Sequence, residues 1–368
     1  MLRERNAPAR APRPANGGQP CSRWRRAHWQ GPFEQRLPLV WLLLGGRKGD
    51  NNQLFALAEA LRYPFEAKRL RHTPLRRFPF LRHGLTTLRR RSRVLVSPPW
   101  PDLVLCVGYA SVPIARYIRE KSGGRTKLIH VGNPRARIDD FDLQITTPQY
   151  AREGHRLLEL DLPIGNPAKS AHATADELNW LRSLPRPRRL IAVGGPARHW
   201  ELDHAVLRKA IGNVRTKAPK GSTIISTSPR TRAATRRLLA GLMRGENEVV
   251  VDAFPNFATL LADSDEIYVT ADSVSMLSEA ILTHKPVGMI PIRRSFFGVL
   301  TQWFWELPTA TRALPNFANF WNVLNRRRLV GTVELPVATQ VCDTVDRAAD
   351  AVRSLLMAPG ELIDEGRV

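Results

Sequence analysis

The sequence predicts an α/β protein of two doubly wound halves that face each other across a cleft. Two observations carry the prediction. From Leu37 onward, apolar runs of strand length alternate with helix-length amphipathic segments, the pattern of parallel strands covered by crossover helices. In each half a glycine-rich turn follows a strong strand and opens a helix, the place where such folds bind ligands.

In the first half the strands are expected at residues 39–44, 103–107, 128–131 and 143–146, with helices at 53–61 and 112–120. The run at 39–44 reads as a buried strand, far short of the roughly 18 to 20 apolar residues that cross a bilayer. Pro163-Ile-Gly-Asn-Pro167 then breaks any regular element and marks the boundary, with a linker over 168–174. The alternation resumes with strands at 190–193, 223–226, 249–251, 266–270 and 286–290 and helices at 202–214, 230–242, 256–261 and 274–282. The expected division is a basic tail at 1–36, an N-terminal Rossmann-like domain at 37–165, a C-terminal Rossmann-like domain at 166–345, and a C-terminal helix and tail at 346–368. The Arg, Pro and Ala-rich tail shows no apolar period and reads as disordered.

Lysine and arginine total 56 against 33 acidic residues, a formal charge of +23 that favours anionic partners. The excess is concentrated in the tail and between Arg62 and Arg93, where only Glu66 opposes a run of arginines. An anionic membrane surface therefore suits the second segment, with a solvated loop as the plainer reading. Nucleic acid rests on charge alone, without a recognition helix or an aromatic-basic platform, so no specific nucleic-acid partner is expected. Cys21, Cys106 and Cys342 are too scattered for a zinc site or disulfide framework and suit a reducing compartment.

Four turns carry the candidate chemistry. Gly45-Gly-Arg-Lys-Gly-Asp-Asn-Asn-Gln53 offers Gly45, Gly46, Gly49, Asn51 and Gln53 as an acceptor or phosphate loop, since glycines admit a ligand to the backbone and a helix start offers free N–H groups. It fits neither Walker A nor G-x-G-x-x-G spacing, which argues against an NTPase or dinucleotide enzyme. The plain alternative is a turn capped by Asp50 or Asn51. Gly194, Gly195 and Arg198 hold the equivalent place in the second half, and Ser228, Arg230 and Arg232 follow the next strand with hydroxyl and guanidinium groups suited to a diphosphate. Thr270-Ala-Asp-Ser-Val-Ser-Met-Leu-Ser-Glu279 is the most specific signal: a hydroxyl-rich turn opening a helix, with Asp272 and Glu279 spaced to share nearly one helix side. Asp50 and His130 are the candidate general bases, although a satisfied histidine at a strand end is the better reading of His130. The D-x-D pairs at Asp140/Asp142 and Asp263/Asp265 sit where helices end and strands begin, so they read as solvated turns, and no metal is expected. Aromatics from Phe296 to Trp321 read as packing for a C-terminal helix.

Residues 45–53, 193–199, 227–232 and 270–279 together resemble the mitochondrial-fission Elongated-Mitochondria family, whose bacterial members are described as glycosyltransferases, over roughly residues 38–345. The resemblance implies a GT-B arrangement of two Rossmann-like domains. The 270–279 segment also looks like the donor-nucleotide turn of GT-B transferases such as the peptidoglycan N-acetylglucosaminyl transferase, which implies that Ser273 and Ser275 contact phosphate and Glu279 the ribose. The family's arginine pair departs here to Ser228-Pro-Arg230, leaving Arg230 and Arg232 for the phosphates. The expected activity is that of a metal-independent, cofactor-free transferase that moves a sugar from a nucleotide-diphosphate donor to an envelope or lipid-linked acceptor, cytoplasmic or peripheral on the inner face of a membrane. Plant relatives are linked to recruiting a dynamin-like GTPase to mitochondria, so the alternative is a non-catalytic membrane adaptor with a protein partner.

Overall fold

The computed structural model describes residues 36–74, 83–150, 153–165, 173–197, 200–217, 220–252, 254–295, 316–341 and 343–357. Among the described residues, those from Pro38 onward belong to one compact unit. Residues 1–35 of the expected tail, Arg198 and the whole Phe296 to Trp305 aromatic run lie outside the described residues.

The first sheet is wholly parallel, with strands β1 (Val40–Leu43), β2 (Phe65–Lys68), β3 (Leu103–Val107), β4 (Lys127–Val131), β5 (Leu143–Thr146) and β6 (Leu157–Glu159) in the order β2-β1-β3-β4-β5-β6. Its central strands are buried along their length, as continuous apolar runs covered on both faces must be. Helices α1 (Lys48–Leu61), the short α2 (Arg90–Arg93) and α3 (Val112–Lys121) complete this lobe. On α1, Leu54, Leu57, Ala58 and Leu61 recur at helical spacing and are fully buried, each leucine contributing about 1.5–3 kcal/mol by leaving water.

The second lobe begins with α4 (Ala175–Ser183), nucleated by a capping box in which Thr174 and Glu177 satisfy each other's backbone N–H groups. Strands β7 (Arg188–Val193), β9 (Ser222–Thr227), β10 (Glu248–Val251), β11 (Glu266–Thr270) and β12 (Val287–Ile290) form a second parallel sheet ordered β10-β9-β7-β11-β12. The ribbon strands β8 (Trp200–Glu201) and β13 (Arg293–Arg294) pair antiparallel beside it. Helices α5 (His204–Lys217), α6 (Ala233–Leu242), α7 (Phe257–Asp263) and α8 (Val274–Ile281) provide the crossovers.

Two further helices tie the lobes together. In α9 (Phe317–Arg326), Phe320 and Leu324 are buried in the second lobe's core, while the Asn316 N–H ahead of it donates to the Gln149 carbonyl of the first lobe at 2.8 Å. In α10 (Thr344–Met357), Val345, Ala348, Ala349 and Val352 return to the first lobe and pack with Leu54, Leu57 and Leu61 of α1. Arg353 seals that contact by donating to the Ala60 carbonyl. The fold is the GT-B-like pair of Rossmann-like lobes that the sequence implies.

Candidate functional site

Strand order decides where each lobe can admit a ligand. In the first sheet the winding reverses between β1 and β3, and in the second between β7 and β11, so a crevice opens at the carboxyl ends of those pairs. Gly45 follows β1, and a Cβ on it would stand 3.1 Å from Val107 at the end of β3. Gly194 follows β7, with Thr270, at the end of β11, and Asp272, just beyond it, directly against the glycine. Both glycine turns therefore lie at switch points.

In the first lobe, the Asn51 side chain accepts from the Gly45 N–H at 2.7 Å and donates to the Gly45 carbonyl at 3.2 Å, closing the turn like a clasp. Neither Asp50 nor Asn51 caps α1; the N-cap is Arg47, in extended conformation and without a side-chain cap bond. The first N–H groups of the helix thus keep their donor capacity. Gly46 is exposed with open space around it, and Gln53 lies one turn beyond Gly49. Burial raises the Asp50 carboxyl above its ordinary range, against the opposing pull of the Arg47 guanidinium. Tyr150, in the 3₁₀ turn Pro148–Tyr150 after β5, is raised by its own burial and by the Asp50 charge, with Arg47 and Arg135 pulling the other way. Asp50, Tyr150, Arg47 and Arg135 form one electrostatic cluster, and Arg135 also stands over the Tyr109 ring at 5.6 Å.

In the second lobe the glycines serve the scaffold. The Gly194 N–H donates to Thr270 Oγ1 at 2.8 Å and the Gly195 N–H to Asp272 Oδ2 at 2.9 Å. Thr270 in turn donates to Asp272 Oδ1 at 2.6 Å, and Arg230 reaches Asp272 Oδ2 at 3.1 Å. A Cβ on Gly194 would lie 2.0 Å from Asp272 Oδ2, and one on Gly195 would lie 2.1 Å from the Arg230 carbonyl oxygen. Gly194 and Gly195, expected in the donor-binding set, have both amides bonded inside the lobe, and the glycines let Asp272 and the Arg230 backbone approach. The Asp272 side chain is 1% exposed and that of Arg230 45%, so the carboxylate anchors a guanidinium that still faces solvent. Ser228 is held in a tight turn, its N–H donating to Thr231 Oγ1 and its Oγ accepting from the Arg230 N–H. Arg232 is the exposed N-cap of α6.

Asp272 precedes α8 and turns inward, so it shares no helix side with Glu279, contrary to the spacing argument. Ser273 caps α8, accepting from the Met276 N–H at 3.4 Å. Ser275 is exposed and Glu279 half-buried one turn later, on the same helix stripe. The Cβ position of Gly49 lies 3.6 Å from Ser275 Oγ. The glycine turn of one lobe and the hydroxyl-rich turn of the other thus meet across the gap. Trp321 of α9 donates to the Ala271 carbonyl at 3.1 Å, bracing that turn from the side.

His130 is also a correction. It is fully buried on β4, its ring nitrogens lie 3.3 and 3.4 Å from the Gly132 and Gly108 carbonyls, and its ring packs on Phe141. A base needs access to a substrate hydroxyl, which this packing denies. Both D-x-D pairs are engaged by arginines: Asp140 and Asp142 by Arg116 and Arg119, Asp263 and Asp265 by Arg186 and Arg188. Tyr150, Arg47 and Trp321 were not among the sequence candidates. Arg47 stood inside the first glycine turn and Trp321 among the packing aromatics, while Tyr150 is a polar aromatic just past a strand's carboxyl end.

The family model described as Mitochondrial fission ELM1 matches residues 48–356. Mitochondrial fission protein ELM1 of Arabidopsis thaliana is 25% identical over 222 residues, 52% of this chain and 51% of that protein, so the match spans about half the length of the relative. Among solved structures, a Listeria monocytogenes protein assigned as UDP-N-acetylglucosamine 2-epimerase has a TM-score of 0.51 at 14% identity, over 90% of this chain and all of that one. The UDP-GlcNAc 2-epimerase of Methanocaldococcus jannaschii has a TM-score of 0.51 at 13% identity, over 87% of this chain and all of that one. These identities speak to the fold.

Proposed function

This chain belongs to the Mitochondrial fission ELM1 family, and from that premise we propose that it is a GT-B glycosyltransferase taking a nucleotide-diphosphate sugar on the second lobe and an acceptor hydroxyl on the first. The observation that carries the reading is the meeting of the two switch-point turns, with Gly49 against Ser275 and a desolvated Asp50 beside Tyr150. A carboxylate whose proton affinity is raised by burial is a better general base toward a hydroxyl than a solvated one. On the second lobe, Arg230 presents its free edge to the departing diphosphate while Asp272 holds the other, and Arg232 and the first turn of α8 add positive potential. Glu279 takes the ribose diol. The arginine-engaged D-x-D pairs leave charge neutralisation to these groups.

The basic segment supplies the membrane contact. Arg71 and Arg89 are brought together by the bond from the Arg89 N–H to the Arg71 carbonyl at 2.9 Å, with Arg69, Arg90 and Arg91 exposed around them. Val94 and Leu95 follow at 75% and 44% exposure, apolar groups beside a cationic cluster as an anionic lipid interface requires. No helix among the described residues is long and apolar enough to cross a membrane.

A second reading, a membrane adaptor without catalysis, is favoured by one observation: the Gly194 and Gly195 amides are satisfied within the lobe. Calorimetric titration separates the two. UDP-GlcNAc, the sugar nucleotide named for the structural neighbours, is the first to try, followed by other UDP- and GDP-sugars. Binding that weakens about tenfold or more in Arg230→Ala and Glu279→Ala supports the transferase. Absence of binding across the panel rejects it.

A further inference from the structure

Helix α9 carries two stripes. Phe317, Phe320, Trp321 and Leu324 recur at i, i+3, i+4 and i+7 and pack into the second lobe. Asn319, Asn322, Val323 and Arg326 form a second stripe with the same spacing. That stripe faces Pro148 and Glu159 of the first lobe across a cavity of about 700 Å³. Asparagine is a poor helix former, so its recurrence along this face is not explained by helix stability.

The cavity is framed at both ends. The Asn316 N–H bonds the Gln149 carbonyl at one end of α9, and Arg327 pairs with Asp161 at 2.9 Å at the other. Glu159 ends β6 and Pro148 follows β5, so the opening sits at the carboxyl edge of the first sheet, where this fold class binds ligands. Pro148 belongs to the same 3₁₀ turn as Tyr150, which feels the Asp50 charge.

The geometry points to a subsite for a neutral saccharide in this cavity. Amide side chains donate and accept at once, as hydroxyl groups require, and Pro148 with Val323 offers an apolar surface for the C–H face of a sugar ring. Glu159 and Arg326 offset each other in charge, which disfavours a phosphate. The inference deepens the transferase reading by giving its acceptor a chemical class, and for that role it rests on that reading; the binding itself does not.

Saturation-transfer NMR on the full chain with chitobiose, cellobiose and maltose tests it, with inorganic phosphate as a counter-probe. At least one disaccharide is expected to bind with millimolar affinity, to weaken about tenfold or more in the Asn319→Ala/Asn322→Ala double variant, and to keep its affinity in Arg230→Ala. Val323→Trp, on a half-buried position that leaves the packed stripe untouched, is expected to block binding while the circular dichroism spectrum is retained. No saturable binding up to about 50 mM, or equal binding in the double variant and in Val323→Trp, overturns the proposal. Phosphate competing with the disaccharide overturns the neutral class. Saccharide binding without any UDP-GlcNAc binding sustains this subsite and removes the transferase reading; the reverse pattern does the opposite.

Discussion

Replacing Gly195 by alanine is expected to cost far more stability than the same change at Gly46, although both glycines sit in turns that follow a central strand. The added methyl at Gly195 would stand 2.1 Å from the Arg230 carbonyl oxygen and 2.4 Å from its carbon, against a floor of 3.0 Å for real Cβ contacts. The obstacle is backbone, so no rotamer change relieves it, and the chain must separate there by the missing 0.9 Å. Overpacking of this kind costs about 1–3 kcal/mol, and displacing Arg230 from Asp272 forfeits a charge-assisted bond of about 1.5–3 kcal/mol, part of which relaxation recovers. The expected loss is about 3 kcal/mol, which lowers Tm by about 6–12 °C for a large domain. Gly46 has nothing among the described residues within 4 Å of its Cβ position and no positive φ, so Gly46→Ala is expected to stay within about 0.5 kcal/mol of wild type. Scanning calorimetry of both variants and wild type in one buffer is the assay. A Gly195→Ala shift below about 2 °C, or equal shifts in the two variants, refutes the account of the second-lobe turn.

Asp50→Asn is expected to abolish transfer while raising Tm at pH 7. The folded carboxyl binds its proton more tightly than the unfolded chain does, so wild-type stability falls as pH rises above 3.8, and the asparagine variant loses that slope in thermal melts across pH. Glu177 behaves in the opposite sense. Bonds from the Asn256 and Thr174 N–H groups hold it below the usual range, so it stabilises the fold above pH 4.5 and that contribution is lost on acidification. Glu177→Gln is expected to cost about 1–3 kcal/mol in urea unfolding at pH 7, the deficit narrowing toward pH 4. Val94→Asp/Leu95→Asp is expected to weaken sedimentation with phosphatidylglycerol vesicles at least as much as raising the salt does, with unchanged Tm; undiminished binding would assign the contact to charge elsewhere.

The buried parallel strands were legible because each is an uninterrupted apolar run: 103–107, 143–146 and 266–270 match β3, β5 and β11 to the residue. The edges were not. Phe-Glu-Ala-Lys of β2 and Leu-Leu-Glu of β6 are partly or wholly exposed, so no hydrophobic pattern distinguishes them from loop. Helix α1 begins five residues before the expected start, since Lys-Gly-Asp-Asn-Asn is a poor helical sequence that the Asn51 clasp stabilises. Thr174 and Glu177 spell a capping box at the edge of a stretch that otherwise reads as linker, so α4 had a local start signal even though its apolar pattern is weak. For the site, the position of both glycine turns could be read from strand-turn-helix order. How their amides are used could not, because the partners Thr270 and Asp272 lie 76 and 77 residues further along the chain, beyond any local pattern.

The return of α10 to the first lobe also sets an order of assembly. Leu54, Leu57 and Leu61 pack on the first sheet but lack the α10 side of their cover until Val345 to Val352 have been made, and the Ala60 to Arg353 bond that seals the contact spans 293 residues. During synthesis that apolar strip is open to chaperones or to neighbouring chains while the second lobe is already able to close on itself. A nascent-chain truncation before Thr344 would therefore yield a compact C-terminal lobe joined to an N-terminal one that aggregates, and α10 acts as the latch between the two lobes.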